Sequence, residues 1–143
     1  MDEQQTEVYV RRFIAGLAER AAEAGDGTMS REEAIATDKR ACIDGAALFL
    51  REDPGIADRI HTALADYYER PSDAVTRDLI VADAFALCAR QAYEAITFHS
   101  EHDYGAEALQ DDLVGLADVF TWFLTGKPEM FVREVGVLIR SSA

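Results

Sequence analysis

Apolar residues recur every three and four positions along nearly the whole chain, and that spacing limits its fold more than any other feature. Such a period gives an α-helix one apolar face, whereas a half-buried strand needs strict alternation. The first series reads Val10, Phe13, Ile14, Leu17, Ala21 and Ala24, with Arg11, Arg12, Glu19 and Glu23 on the other face. Alanine is frequent, strand-favouring Val-Ile-Thr-Tyr runs are missing, and only three prolines and nine glycines interrupt the chain. This balance predicts helix.

Turn and cap residues divide the pattern into elements. A first helix over about 2–24 stops at Gly25-Asp26-Gly27. Ser30 and Glu33 form a capping box that opens a second helix, running to about Glu52. Its polar stripe is Glu33, Thr37, Arg40, Asp44 and Arg51, where Arg40 and Asp44 have the spacing of an i,i+4 pair. Ala34, Ala41 and Gly45 make a separate strip of small residues. A mid-helix glycine costs about 1 kcal/mol, so Gly45 predicts the close approach of another helix.

Asp53 as N-cap and Pro54 at the first helical position begin a third helix, which Pro71 closes. Ser72 or Asp73 caps a fourth, reaching about Phe98, with Val81, Phe85, Cys88, Ala92 and Ile96 inward and Asp83 in solvent. The segment 99–105 reads as a connection. A fifth helix, about 106–125, carries the wide apolar face Leu109, Leu113, Leu116, Phe120, Phe123 and Leu124, which predicts the central position. Pro128 starts a short sixth, an apolar lid ending near Arg140. Short connections and the lack of repeats or linkers predict one all-α domain over 1–143: a compact bundle of five main helices plus a short C-terminal helix.

A chain of 143 residues, 49% apolar and 29% charged, can bury a core without metal or disulfide staples. Its net charge of −13, from 27 acids against 14 bases, argues against direct binding to nucleic acid or to an anionic membrane, since both need a basic footprint. Basic proteins and cations suit it better, although the acidity equally fits plain solubility or a salty cytoplasm. The start, Met1-Asp2-Glu3-Gln4-Gln5, is polar and unlike a signal peptide, and no apolar run nears the ~20 residues of a membrane span. Cys42 and Cys88 lie in apolar helical segments without CxxC spacing, so they read as reduced core thiols of a soluble cytoplasmic protein.

Three constellations could carry function. His99, His102 and Asp103, with His61 from the third helix and Asp58 as a further ligand or as its orienting partner, could furnish ligands for zinc or a similar ion. The simpler reading makes both histidines loop residues and Asp103 the N-cap of the fifth helix. Second, the 36 residues from Gln91 to Gly126 contain no Lys or Arg but seven acids. Of these, Glu107, Asp111 and Asp118 fall within about 40° on a helical wheel. Arginines of other helices, among them Arg11, Arg12, Arg20, Arg40, Arg59 and Arg77, could neutralise this stripe; otherwise it faces an external basic partner. Third, Trp122 lies about 40° from Asp118 and suits an Arg- or Lys-bearing surface, unless the sixth helix covers it.

No Gly-rich phosphate loop, nucleophile elbow, zinc-finger spacing or HExxH helix occurs, and no acid or serine is placed by sequence in a catalytic cleft. The residues therefore predict a non-enzymatic binding module without a cofactor. It would be an inhibitor or regulator docking Tyr104, Glu107, Asp111, Asp118 and Trp122 on a basic protein surface, its sharpest form a DNA mimic. The alternatives are a zinc-binding bundle using His61, His99, His102 and Asp103, and a homo-oligomer joined through an apolar helix face.

Overall fold

A computed structural model describes residues 1–68, 77–102 and 105–125 of the chain. About 90% of them are helical and none is in a strand, well beyond the third expected of an average domain. The helices are α1 (Glu3–Asp26), α2 (Arg31–Glu52), α3 (Ile56–Tyr68), α4 (Arg77–His102) and α5 (Ala106–Leu124). None among the described residues is long and apolar enough to cross a membrane. The expected Pro71 stop, the Ser72 or Asp73 cap and the sixth helix lie outside the described residues.

Local chemistry sets the ends. Asp2 caps α1 by accepting the Gln5 amide at 2.7 Å, while the Gln5 side chain accepts the Asp2 amide at 3.0 Å. Gly27 ends α1 at φ 83°, a left-handed conformation that glycine adopts without strain. Ser30 Oγ accepts from the Glu33 amide at 3.1 Å, as the capping pattern predicts. Asp53 does not cap a helix starting at Pro54. Its amide still bonds the Phe49 carbonyl of α2 at 2.8 Å, and its carboxylate accepts from Gly55 N–H at 3.2 Å. Asp53 thus ends one helix and folds the turn into the next, which starts at Ile56.

α4 is the central helix, not α5: it packs against α1, α2, α3 and α5. Ala84, Cys88, Ala89 and Ala92 are all buried and small, so neighbours can approach α4 from several sides. α5 holds only one face against the bundle, through Leu113, Ala117, Phe120, Phe123 and Leu124, because Glu107, Gln110, Asp111 and Asp112 keep its other side wet. Apolar width along one helix thus overstated its centrality.

Phe85 of α4 is fully buried and stands among four other rings. It meets Phe13 at 5.2 Å and Phe120 at 5.0 Å in edge-to-face geometry, with Tyr9 at 6.4 Å and Phe49 at 5.8 Å. These rings come from α1, α2 and α5, so one side chain joins four helices.

The close approach expected at Gly45 is this same ring: a Cβ there would lie 2.7 Å from Phe85 Cε1. Gly45→Ala recovers about 1 kcal/mol of helix propensity but overpacks a ring that has no free side to move toward. We expect the clash to prevail, lowering stability by about 1 kcal/mol. Urea denaturation checks the sign, and a more stable variant would mean that the ring gives way easily.

Candidate functional site

The acidic side of α5 is exposed at its N-terminal half. Glu107 and Asp111 face solvent, and among the described residues neither has an ion-pair partner. Glu107 also lies in the first turn, where the helix dipole favours an acid. Asp118 differs. Its carboxylate lies 3.6 Å from the Arg11 guanidinium of α1, which is itself held by Glu7 one turn earlier at 2.7 Å. Part of the stripe is therefore neutralised within the bundle, as the supply of arginines allowed. Trp122 is half-buried further along α5. Tyr104 lies outside the described residues.

The two histidines belong to the last turns of α4 rather than to a loop. His102 Nδ1 is 2.8 Å from the Phe98 carbonyl and its ring stacks on Phe98 at 4.3 Å. His99 Nε2 meets the Asp112 carboxylate of α5 at 2.6 Å. Basic side chains suit the negative end of a helix, and these contacts extend α4 past Phe98. Gly105, at φ 90° and without a side-chain cap, occupies the N-cap of α5 in place of Asp103, which lies outside the described residues. Among the described residues no three His, Cys, Asp or Glu side chains converge as a metal site requires. The sequence pattern had put His61, His99 and His102 together; here His99 is turned to Asp112 instead.

One polar cluster escaped the sequence reading. Asp38 of α2 is buried, and its carboxylate accepts hydrogen bonds from Arg20 Nε of α1 and from the Tyr93 hydroxyl of α4. Three helices thus meet at one carboxylate. Burial pushes the Asp38 carboxyl up from its ordinary range, while the Arg20 guanidinium pulls it down. Gly16 makes room for Arg20: a Cβ at that position would lie 3.0 Å from the guanidinium. The signal was present in the sequence. Asp38 stands four residues after Ala34 and three before Ala41, within the small-residue strip, and Arg20 follows Leu17 by three on the apolar face. Charged residues in apolar registers imply a buried partner.

At one end of the bundle a cleft of about 560 Å³ opens among Met1, Thr6, Phe49, Glu52, Asp53 and Arg59. Four of its charged groups form two pairs, and Glu3 also lines it. The N-terminal ammonium lies 3.5 Å from Glu52, and Arg59 lies 2.6 Å from Asp53, which holds the Asp53 carboxyl below its usual range.

The fold and these surfaces define an all-helical bundle with an acidic outer helix and a buried polar tie. No family model, no curated protein and no solved structure matches the chain.

Proposed function

We propose that the protein is a non-enzymatic binding module, an inhibitor or regulator that presents one side of α5 to a basic protein surface. The observation carrying this reading is the exposure of Glu107 and Asp111, neither with an ion-pair partner among the described residues, within a run of 36 residues devoid of Lys and Arg. Trp122 supplies a partly exposed aromatic anchor beyond Asp118, and Tyr104 stands just before the helix in sequence. A surface that normally holds nucleic acid fits such a stripe best, because it offers many basic groups to a mimic of the phosphate backbone.

Charge pairing of this kind steers association, so binding should be fast and should weaken strongly with salt. The test is affinity capture from the native host at low and high salt, followed by kinetics with the captured partner. Asp111→Asn with Asp118→Asn should mainly slow association, whereas Trp122→Ala should mainly speed dissociation, costing about 2 kcal/mol at a hot spot. Asp118 is shared with Arg11, so Asp111→Asn should account for the larger part. Equal binding by the double variant across salt would overturn the reading.

Homo-oligomerisation is favoured by a different observation, the exposure of Ile35 and Ile43 on α2, the latter 62% accessible. It predicts a concentration-dependent mass nearly insensitive to salt. Ile43→Glu would abolish it without touching α5.

A further inference from the structure

Two contacts fix how α2 and α4 lie together. The Tyr93 hydroxyl reaches Asp38, and the Phe85 ring covers Gly45. Residue numbers rise along α2 as they fall along α4, so the helices are antiparallel. Cys42 precedes Gly45 by three residues, and Cys88 follows Phe85 by three. At 1.5 Å per residue, each cysteine's Cα is displaced about 4.5 Å along its helix axis from the Gly45–Phe85 contact, in the same direction along the interface, and the charge of Cys42 is felt at Cys88. Both belong to the same buried cluster, and both are free thiols. Ala46, Ala89 and Ala92 belong to that cluster as well, with Ala41 packed against it. α2 and α4 are the most extensively packed helix pair among the described residues, and alanines beside the cysteines let Cα atoms come within the roughly 4.4–6.8 Å that a disulfide spans.

We infer that Cys42 and Cys88 are a facing dithiol, an oxidisable site that a hydroperoxide closes into an intramolecular disulfide joining α2 to α4. Accessibility orders the steps. Cys42 is 7% exposed and Cys88 is fully buried, so a small oxidant meets Cys42 first. With hydrogen peroxide, the Cys42 thiolate attacks one oxygen, the O–O bond breaks, the departing hydroxide takes up the proton given up by Cys42 to leave as water, and Cys42 becomes a sulfenic acid. Cys88 sulfur then attacks the Cys42 sulfur, forming the S–S bond and releasing a second water. Two thiols lose two electrons and two protons to one hydroperoxide. Burial pushes the Cys42 thiol up to about 11 and the Cys88 thiol well above its usual value. Few thiolates are then present at neutral pH, so closure is slow, and mildly alkaline pH speeds it.

The test treats the folded protein with hydrogen peroxide at mildly alkaline pH and follows the intact mass. The expected result is a loss of about 2 Da, with no thiol left to alkylate after denaturation and a cross-linked peptide containing both positions. A far-ultraviolet spectrum unchanged by the treatment shows that closure occurs in the bundle. Cys88→Ala should instead stop at a sulfenic acid on Cys42, which a dimedone-type trap captures. A gain of oxygen at Cys42 with Cys88 still alkylatable in the unmodified sequence would overturn the inference, whether or not the variant folds. Disulfide-linked dimers in place of the internal bond would overturn it equally.

Discussion

Phe85→Ala should destabilise the protein by about 3–5 kcal/mol, the range for removing a fully buried aromatic ring and leaving a cavity. Several features place it toward the upper end. The ring is fully buried, it touches rings from three other helices, and its edge rests on a glycine that cannot fill the space left behind. Edge-to-face pairs add about 0.5–1.5 kcal/mol each beyond their area, and Phe13 and Phe120 both lose one. Domains of ordinary stability have only about 5–15 kcal/mol in total, so this one change could leave a large unfolded fraction at 37 °C. Phe85→Leu keeps most of the volume and should cost about half as much. Urea denaturation of both variants checks the order. A loss under 1 kcal/mol for the alanine variant would show that the four-helix junction repacks around the gap.

The prominence of Phe85 explains which parts of this fold were legible in the sequence. Spacing of three and four marks which residues of a helix turn inward, and it marked Phe85, Cys88 and Ala92 correctly. It says nothing about which neighbour covers them. Centrality therefore went to α5, whose apolar face is wide, although α4 is the helix whose small residues admit four neighbours. Gly45 was readable because its cost in a helix demands compensation, and the compensating ring is now identified. The ends of elements depended on rarer signals. Ser30 capped as its spacing required, but Asp53 kept its amide in the α2 ladder, which no residue pattern reveals.

Charged residues were the harder part. By sequence Arg20 is one of the cations available to the acidic stripe, yet it turns inward to Asp38, while Arg11 reaches Asp118. Sequence proximity joins His99 and His102 into a metal reading that also needs Asp103, which lies outside the described residues. In the folded chain they serve the end of α4, one against Asp112 and the other against Phe98. Pairing across helices depends on their packing, and the spacing of charges along one helix does not encode it. The exposed acids of α5 could be named from the sequence because a solvated stripe needs no partner to be recognised.

The second large effect is expected at Asp38. Asp38→Ala leaves the Arg20 guanidinium and the Tyr93 hydroxyl without their shared acceptor, in a place where only part of the loss can be made good by water. Unpaired buried donors cost about 1–3 kcal/mol, more when one is charged. The Arg20 side chain keeps 18% of its surface exposed, so solvent relieves some of the penalty, and about 2–3 kcal/mol is the expected net loss. The pH dependence has a definite sign. Burial raises the Asp38 carboxyl above its unfolded value and outweighs the pull of Arg20, so the folded state holds this proton more tightly than the unfolded chain does. That contribution to stability is complete below the ordinary carboxylate range and is lost as pH rises through the raised folded value. Asp38→Asn lacks the titration and keeps the shape. The melting temperature of the wild-type chain should therefore fall relative to that of Asp38→Asn as pH rises from the acid side of the carboxylate range to neutrality. Thermal unfolding of both proteins across that range is the measurement. A wild-type chain that gains on Asp38→Asn toward neutrality would mean that Arg20 and Tyr93 stabilise the carboxylate more than burial penalises it, and that Asp38 is a buried ion-pair anchor instead.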